Sequence, residues 1–203
     1  MASDHYFSSQ PASSGALRPL QVRLAGREVT LTTASGIFSP DRIDQGTRVL
    51  LANAPEPPPG GALLDIGCGW GPIALTLGLE SPHADVWAVD VNERALDLVR
   101  RNAAALGLPQ VNAALPDDVP EGLQFRSIWS NPPIRIGKQE LHALLLRWLP
   151  RLEPGGDAWL VVQRNLGSDS LQRWLQGELP DDFDVTRETI SKGFRVLRVR
   201  RAG

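Results

Sequence analysis

The sequence predicts an α/β fold built on an open parallel sheet, and three observations carry that reading. From Ala62 onward, β-rich apolar runs alternate with stretches of helical period. Three glycines, Gly67, Gly69 and Gly71, stand where an apolar strand runs into a helical stretch, the kind of junction at which such sheets meet ligands. The chain has 203 residues, 42% hydrophobic and 22% charged, which suffices for one compact domain with a sizeable core and leaves little for a second.

Residues 1–19 are rich in Ser, Pro and Ala and read as a flexible arm. Leu20-Val22-Leu24 and Val29-Leu31-Thr33 alternate and join through Gly26, the pattern of a β-hairpin. Asp44 or Thr47 then caps a helix through Val49-Leu50-Leu51, which the Pro-rich segment 55–60 stops. That segment reads as a hinge, with residues 20–60 as a small front lobe and 61–203 as the main domain. Strands are expected at 62–66, 86–89, 110–114, 127–129 and 158–162, followed by two longer runs near 183–190 and 194–200. Asn92, Glu93 and Gly107 signal both ends of one helix. The clearest helix covers about 139–152, where Leu141, Leu144, Leu145, Trp148, Leu149 and Leu152 recur at period 3.6 as a core stripe. Trp87, Trp129, Trp159 and Trp174 read as packing residues.

Charge and composition exclude several classes. Lys and Arg number 21 against 23 Asp and Glu, a net charge of −2, which argues against a broad nonspecific nucleic-acid coat. The last twelve residues hold Lys192, Arg195, Arg198, Arg200 and Arg201 with no acid, and two readings stand side by side: a solvated edge strand or a phosphate-binding patch. One cysteine, Cys68, and three scattered histidines exclude an internal disulfide and a Cys-rich zinc site, so no metal is expected. No apolar run approaches the roughly 20 residues that span a bilayer, and no basic-then-apolar segment opens the chain. A cytoplasmic protein without membrane contact is expected.

The run Leu63-Leu64-Asp65-Ile66-Gly67-Cys68-Gly69-Trp70-Gly71-Pro72 carries specific chemistry. Glycines let the backbone turn sharply beside a ligand, and a helix amino terminus offers unpaired N–H groups at the positive end of its dipole. Asp90 ends the next strand 23 residues after Gly67, close to the spacing at which an acid accepts ribose hydroxyls. Together these describe a nucleoside site. A dinucleotide fingerprint would need G-x-G-x-x-G, whereas here the third glycine falls one place early and Pro72 follows. The pattern resembles the first motif of the class I S-adenosylmethionine-dependent methyltransferases, in which the residue at the position of Asp65 orients the turn or the methionine amine. Asp65, Gly67, Cys68, Gly69, Gly71, Asp90 and Val91 are the candidate cofactor residues, Cys68 as a small buried filler and not a nucleophile.

Asn131-Pro132-Pro133-Ile134 follows the fourth main strand at its carboxyl end. Two prolines fix φ and remove two N–H donors, so the carbonyls of the turn are left to face a substrate. A planar exocyclic or amide NH₂ is a poor nucleophile because its lone pair is delocalised. Accepting its two hydrogens on the Asn131 side-chain oxygen and the Pro132 carbonyl turns nitrogen toward tetrahedral geometry and aims the lone pair at a cofactor methyl. Asn131 and Pro132 are therefore the candidate catalytic residues.

With this motif the chain resembles the small-domain methyltransferases typified by the 16S ribosomal RNA guanine-N2 methyltransferases, especially their short single-domain members. The likeness spans His5-Tyr6-Phe7, Gly36-Ile37-Phe38-Ser39, Asp44-Gln45-Gly46-Thr47, Asp65 to Gly71, Asn131 to Lys138, Gln163 and Lys192-Gly193-Phe194-Arg195. It implies a Rossmann-like seven-stranded sheet with a reversed last strand behind an amino-terminal hairpin. It also implies that Phe38 and Thr47 approach S-adenosylmethionine from the front lobe and that an acid after the third strand contacts the adenine, with Asp117 the candidate and Asp118 close behind. Many members carry an aromatic residue where this chain has Ile134, and longer members have an additional amino-terminal half that holds RNA. Phe194 or Phe38 supplies a ring here or packs as core. Pro133, Ile134, Arg135, Lys138 and Phe194 complete the candidate substrate residues.

The leading expectation is methyl transfer to an exocyclic amine, guanine N2 of ribosomal RNA of the small subunit. Adenine N6 and the glutamine side-chain amide present the same planar NH₂ and stand as alternatives. An inactive module binding RNA or a partner is a further reading, against which Asp65, Asp90 and Asn131 speak. A nicotinamide dehydrogenase is disfavoured by Pro72 and by a turn that hydride transfer does not need.

Overall fold

The structure, a computed structural model, describes residues 15–133 and 136–203. His5-Tyr6-Phe7, Ile134, Arg135 and most of the expected arm lie outside the described residues. A hairpin of β1 (Arg18–Leu24) and β2 (Arg27–Thr33) precedes α1 (Gln45–Asn53). There follow β3 (Gly60–Ile66), α2 (Pro72–Glu80), β4 (His83–Val89), α3 (Glu93–Leu106), β5 (Val111–Ala114) and β6 (Phe125–Ser130). The chain continues through α4 (Lys138–Trp148), β7 (Leu152–Gln163), α5 (Ser168–Glu178), β8 (Phe183–Ser191) and β9 (Phe194–Arg201).

The main sheet has seven strands in the order β5-β4-β3-β6-β7-β9-β8. The first five are parallel, and β9 runs antiparallel to both β7 and β8. The seven-stranded α/β sheet with a reversed last strand is therefore present, with the hairpin as a separate two-stranded sheet. One layer packs α1, α2 and α3 on one face, through residues such as Leu50, Leu75, Leu77, Leu96 and Val99. The other packs α4 and α5 through Leu141, Leu145, Trp148, Leu171 and Leu175. No helix of the described residues is long and apolar enough to cross a membrane.

Local signals explain most boundaries. Asp44 caps α1, its carboxylate accepting the Gly46 N–H at 2.7 Å, which decides between Asp44 and Thr47. Asn92 caps α3 by accepting the Arg94 N–H, and Gly107 closes it in the left-handed conformation at φ 67°. The expected helix over 139–152 ends earlier, at Trp148, and continues as a 3₁₀ turn over Leu149–Arg151. Pro150 has no N–H to continue an α-helical ladder, and Leu152 already belongs to β7. α5 is a helix that the sequence reading does not assign. Its apolar residues Leu171, Trp174 and Leu175 span a single turn, and Gly167 with a positive φ stands where a side-chain cap would be.

The carboxyl-terminal strand corrects one expectation. β9 is not a solvated edge strand; it lies inside the sheet between β7 and β8, and the edge falls to β8. Interior placement demands charge partners: Arg198 and Arg200 both pair with Asp157, Arg201 pairs with Asp182, and the buried Arg195 pairs with Asp169. Of the cations that suggested a phosphate patch, four are engaged within the fold.

The front lobe shares the core of the main body. Leu24 and Leu31 are buried in the same cluster as Trp70 and Val99. The Asn102 side chain on α3 accepts the Thr32 N–H at 2.7 Å and donates to the Thr32 carbonyl at 3.0 Å, and Ser81 donates to the Pro58 carbonyl at 2.8 Å. These bonds set the loop over residues 34–44 above the carboxyl end of the sheet.

Candidate active site

Two turns leave the sheet side by side. β3 and β6 are parallel neighbours with Ile66 opposite Ser130, so the glycine turn after β3 and the Asn-Pro-Pro turn after β6 start at the same level. A β-carbon placed on Gly67 would stand 3.5 Å from Pro133 Cδ, which measures how close the two turns lie.

Gly67, Gly69 and Gly71 have φ of 71°, 55° and 98°, all in the left-handed region that side chains disfavour. The N–H groups of Gly67 and Cys68 both donate to the Val89 carbonyl, at 2.8 and 3.1 Å. Gly71 caps α2, and a β-carbon there would meet Val99 Cγ2 at 3.1 Å, so the helix sits close against α3 because the residue is glycine.

Two buried carboxylates brace this turn. Asp65 Oδ2 accepts the Ala74 N–H at 3.0 Å in the first turn of α2, while Oδ1 is buried without a hydrogen-bond partner among the described residues. Burial above all, and then the nearby Asp90 carboxylate, push the Asp65 carboxyl up to about 8, against the pull of the Ala74 bond. Asp90 Oδ2 accepts from Gly69 N at 3.0 Å and its Oδ1 accepts from Asn92 N at 2.9 Å. Burial, with Asp90 and Asp65 nearby, pushes the Cys68 thiol well up, so it stays protonated and unreactive as a nucleophile.

A cleft opens over the turn, enclosing roughly 340 Å³ together with the solvent open above it. Of the sequence-predicted residues, Gly67, Cys68, Gly69, Phe38, Thr47 and Asn131 line it. Phe38 is 47% exposed, its ring on the cleft and not in the core. Asp65, Gly71 and Asp90 stand behind the lining as supports. Val91 is exposed just beyond β4. Asp117, in the turn after β5, lies outside the cleft, with its side chain 91% exposed and paired to Arg147 at 2.8 Å. Lys138 is exposed at the start of α4. Phe194 opens β9 and is half-buried, with Cε1 3.1 Å from where a β-carbon on Gly46 would be.

Five lining residues, Ser39, Asp44, Trp70, Pro72 and Ile73, are not among the site residues expected from the sequence, and three of them bear on the geometry. Trp70 is buried inside the glycine turn and donates its indole N–H to the Ser39 carbonyl at 3.2 Å, fastening the front-lobe loop to the turn. Ser39 itself, with a positive φ of 47°, lines the cleft beside Phe38. Asp44 lines it from the start of α1. Its place in the Asp44 to Thr47 block was the available signal.

In the Asn-Pro-Pro turn, the Asn131 Nδ2 donates to Asp44 Oδ2 at 2.9 Å and to Thr47 Oγ1 at 3.1 Å. Oδ1 receives no hydrogen bond among the described residues and sits beside Gly46, 3.1 Å from a β-carbon built there. The expectation that both proline carbonyls face outward is corrected for one of them. The Pro133 carbonyl accepts the Ile136 N–H at 3.1 Å, closing the turn, while the Pro132 carbonyl accepts no backbone N–H among the described residues. The site thus combines a glycine turn, a buried carboxyl behind it with one oxygen unpartnered among the described residues, and on the lining an amide whose oxygen receives no hydrogen bond among the described residues. These residues fit a nucleoside carrying a cationic amine.

Known proteins agree with this architecture. The family model described as "Methyltransferase small domain" matches residues 28–198. The uncharacterized protein YbxB of Bacillus subtilis (strain 168) is 34% identical over 202 residues, covering 98% of this chain and 99% of that one. The ribosomal RNA small subunit methyltransferase C of Hahella chejuensis is 41% identical over 143 residues, covering 67% of this chain and 41% of that protein. The chain spans less than half the length of the curated ribosomal RNA methyltransferases it matches. A T. thermophilus 16S rRNA N2 methyltransferase, solved in complex with AdoMet and guanosine, superposes with a TM-score of 0.78 at 23% identity over 95% of this chain and 52% of that one.

Proposed function

The chain belongs to the methyltransferase small domain family, a group of S-adenosylmethionine-dependent methyltransferases, and from that premise we propose that its acceptor is an exocyclic amine of ribosomal RNA, guanine N2 of the small subunit. The observation that carries the reading is the Asn131 side chain, which lines the cleft with its amide nitrogen tied to Asp44 and Thr47 and its oxygen left without a hydrogen bond among the described residues. The relatives named as small-subunit ribosomal RNA methyltransferases support RNA as the partner.

S-Adenosylmethionine supplies, when bound, a methyl on a positively charged sulfur that takes the C–S electron pair as the new N–C bond forms. Asp65 would hold its cationic amino group on Oδ1, and the left-handed glycines leave room for its backbone-side approach. Asp90, with Val91 and Asp117 farther along the carboxyl edge, is assigned to the nucleoside end, and Phe38 and Thr47 to the front-lobe side. Cys68 fills space beneath.

Asn131 Oδ1 and the Pro132 carbonyl accept the two hydrogens of the acceptor amine, so its lone pair leaves conjugation with the ring and points into the cleft. Their fixed oxygens stabilise the positive charge that develops on nitrogen. The surplus proton then leaves to solvent from an amine already held at the open side of the cleft. Pro133, Lys138 and Phe194 border the acceptor in this reading.

Purified protein with labelled S-adenosylmethionine, offered small ribosomal subunits, deproteinised ribosomal RNA, DNA and a release factor in separate reactions, tests the proposal. Label in RNA, released as N2-methylguanine on digestion, is the expected result. Label only in N6-methyladenine or only in protein would overturn the acceptor assignment.

A further inference from the structure

Both hydrogens of the Asn131 amide are committed within the fold. Nδ2 has two to give, and they go to Asp44 Oδ2 at 2.9 Å and Thr47 Oγ1 at 3.1 Å. The same Asp44 oxygen already accepts the Gly46 N–H at 2.7 Å. Were the amide turned over, its oxygen would face that carboxylate oxygen with no hydrogen between them. The amide therefore has one favoured orientation, with Oδ1 on the side of Gly46 and Phe194. The torsion that this fixes is otherwise broad and roughly two-fold, so a free asparagine would present its NH₂ and its oxygen interchangeably. An NH₂ turned to the acceptor would meet the amine hydrogens donor to donor.

We propose that Asp44 and Thr47 are positioning residues for methyl transfer, which hold the Asn131 amide with its oxygen toward the acceptor amine. The inference rests on the reading of Asn131 as the acceptor-binding residue. It gives the front-lobe helix α1 a part in the reaction beyond closing the cleft: its first turn selects which end of the amide the acceptor meets. Gly46 belongs to the same device, because a β-carbon there would lie 3.0 Å from Asp44 Oδ2 and 3.1 Å from both Asn131 Oδ1 and Phe194 Cε1.

Asp44 also caps α1, so the test must separate capping from positioning. Asp44→Ser keeps a good cap, since serine serves that position as well as aspartate, but its shorter side chain withdraws the acceptor from Asn131. Asp44→Asn keeps an oxygen where Oδ2 stands and is the conservative rescue. Thr47→Val removes the second acceptor at nearly constant volume. At saturating cofactor, on whichever amine acceptor the wild type methylates, Asp44→Ser is expected to lose kcat roughly tenfold or more. Acceptor KM should change less and the thermal midpoint little, and Asp44→Asn should recover most of the loss. Independently of turnover, the Asn131 side-chain amide protons, identified as the NMR pair missing in Asn131→Ala, should exchange slowly in the wild type and lose that protection in Asp44→Ser and Thr47→Val. Unchanged kcat in both variants, or an unprotected amide pair in the wild type, would overturn the inference. If the wild type methylates no amine at all, the reading of Asn131 fails instead, while the exchange measurement still decides whether Asp44 and Thr47 hold the amide.

Discussion

Ser130 donates its hydroxyl to the Ile66 carbonyl at 2.7 Å, joining the last residues of two neighbouring parallel strands. Both residues are fully buried. The next residue of each strand begins one of the two turns that build the cleft, so this bond fixes the height of Asn131 relative to Gly67.

Ser130→Ala leaves the Ile66 carbonyl without that partner in a buried place. A loss of about 1 kcal/mol is expected, which for a chain of this size lowers the thermal midpoint by roughly 2–4 °C. Turnover should fall with it, since the two turns lose their common reference. A melt and a turnover number both equal to wild type would mean the turns are held independently.

Asn131→Ala removes the amide oxygen but touches none of the braces of the glycine turn. By analogy with deleting one group that stabilises developing charge, kcat should fall by about 10² to 10³. Calorimetric affinity for S-adenosylmethionine should stay close to that of the wild type. Wild-type turnover in this variant would refute the role given to Asn131.

Gly46→Ala sets two effects against each other. Alanine is favoured over glycine in a helix by about 1 kcal/mol, but its methyl would crowd Asp44, Asn131 and Phe194 at 3.0 to 3.1 Å. All three atoms belong to side chains and not to backbone, and each must give by a few tenths of an ångström, so the crowding offsets the helix gain and the thermal midpoint should change only slightly. Activity should drop clearly, because the displaced group is the Asn131 amide. Equal loss of stability and activity would point to general damage to α1.

Asp65 gives stability a definite dependence on pH. Its carboxyl is pushed from an ordinary 3.8 up to about 8 in the folded chain, by burial first and by Asp90 as a lesser cause. Between those values the folded chain holds a proton that the unfolded chain has released. Stability from this group therefore declines as pH rises through that window and levels off above it. Asp65→Asn should flatten the curve of thermal midpoint against pH in the absence of cofactor. A cationic amine on Oδ1 would favour the ionised carboxylate, so cofactor binding near neutral pH should release a proton. Calorimetry in two buffers of different ionisation enthalpy reads that release, and Asp65→Asn should abolish it.

The sequence by itself determined what local chemistry can signal. The glycine turn and its flanking acids, the rigid Asn-Pro-Pro turn, the hairpin through Gly26 and the caps at Asn92 and Gly107 each declare themselves within a few residues. α5 escaped because its apolar turn is short and its cap is a glycine, so packing on β8 and β9, not its own sequence, makes it a helix. Only the tertiary structure decided that β9 is interior, since strand pairing is a long-range contact and the charge pattern alone fits an edge equally well. It also decided the orientation of Asn131. The bond to Asp44 joins residues 87 positions apart, and a side-chain amide looks the same in sequence whichever way it is turned. What the cleft presents to a substrate is fixed by the acceptors that the fold brings behind it.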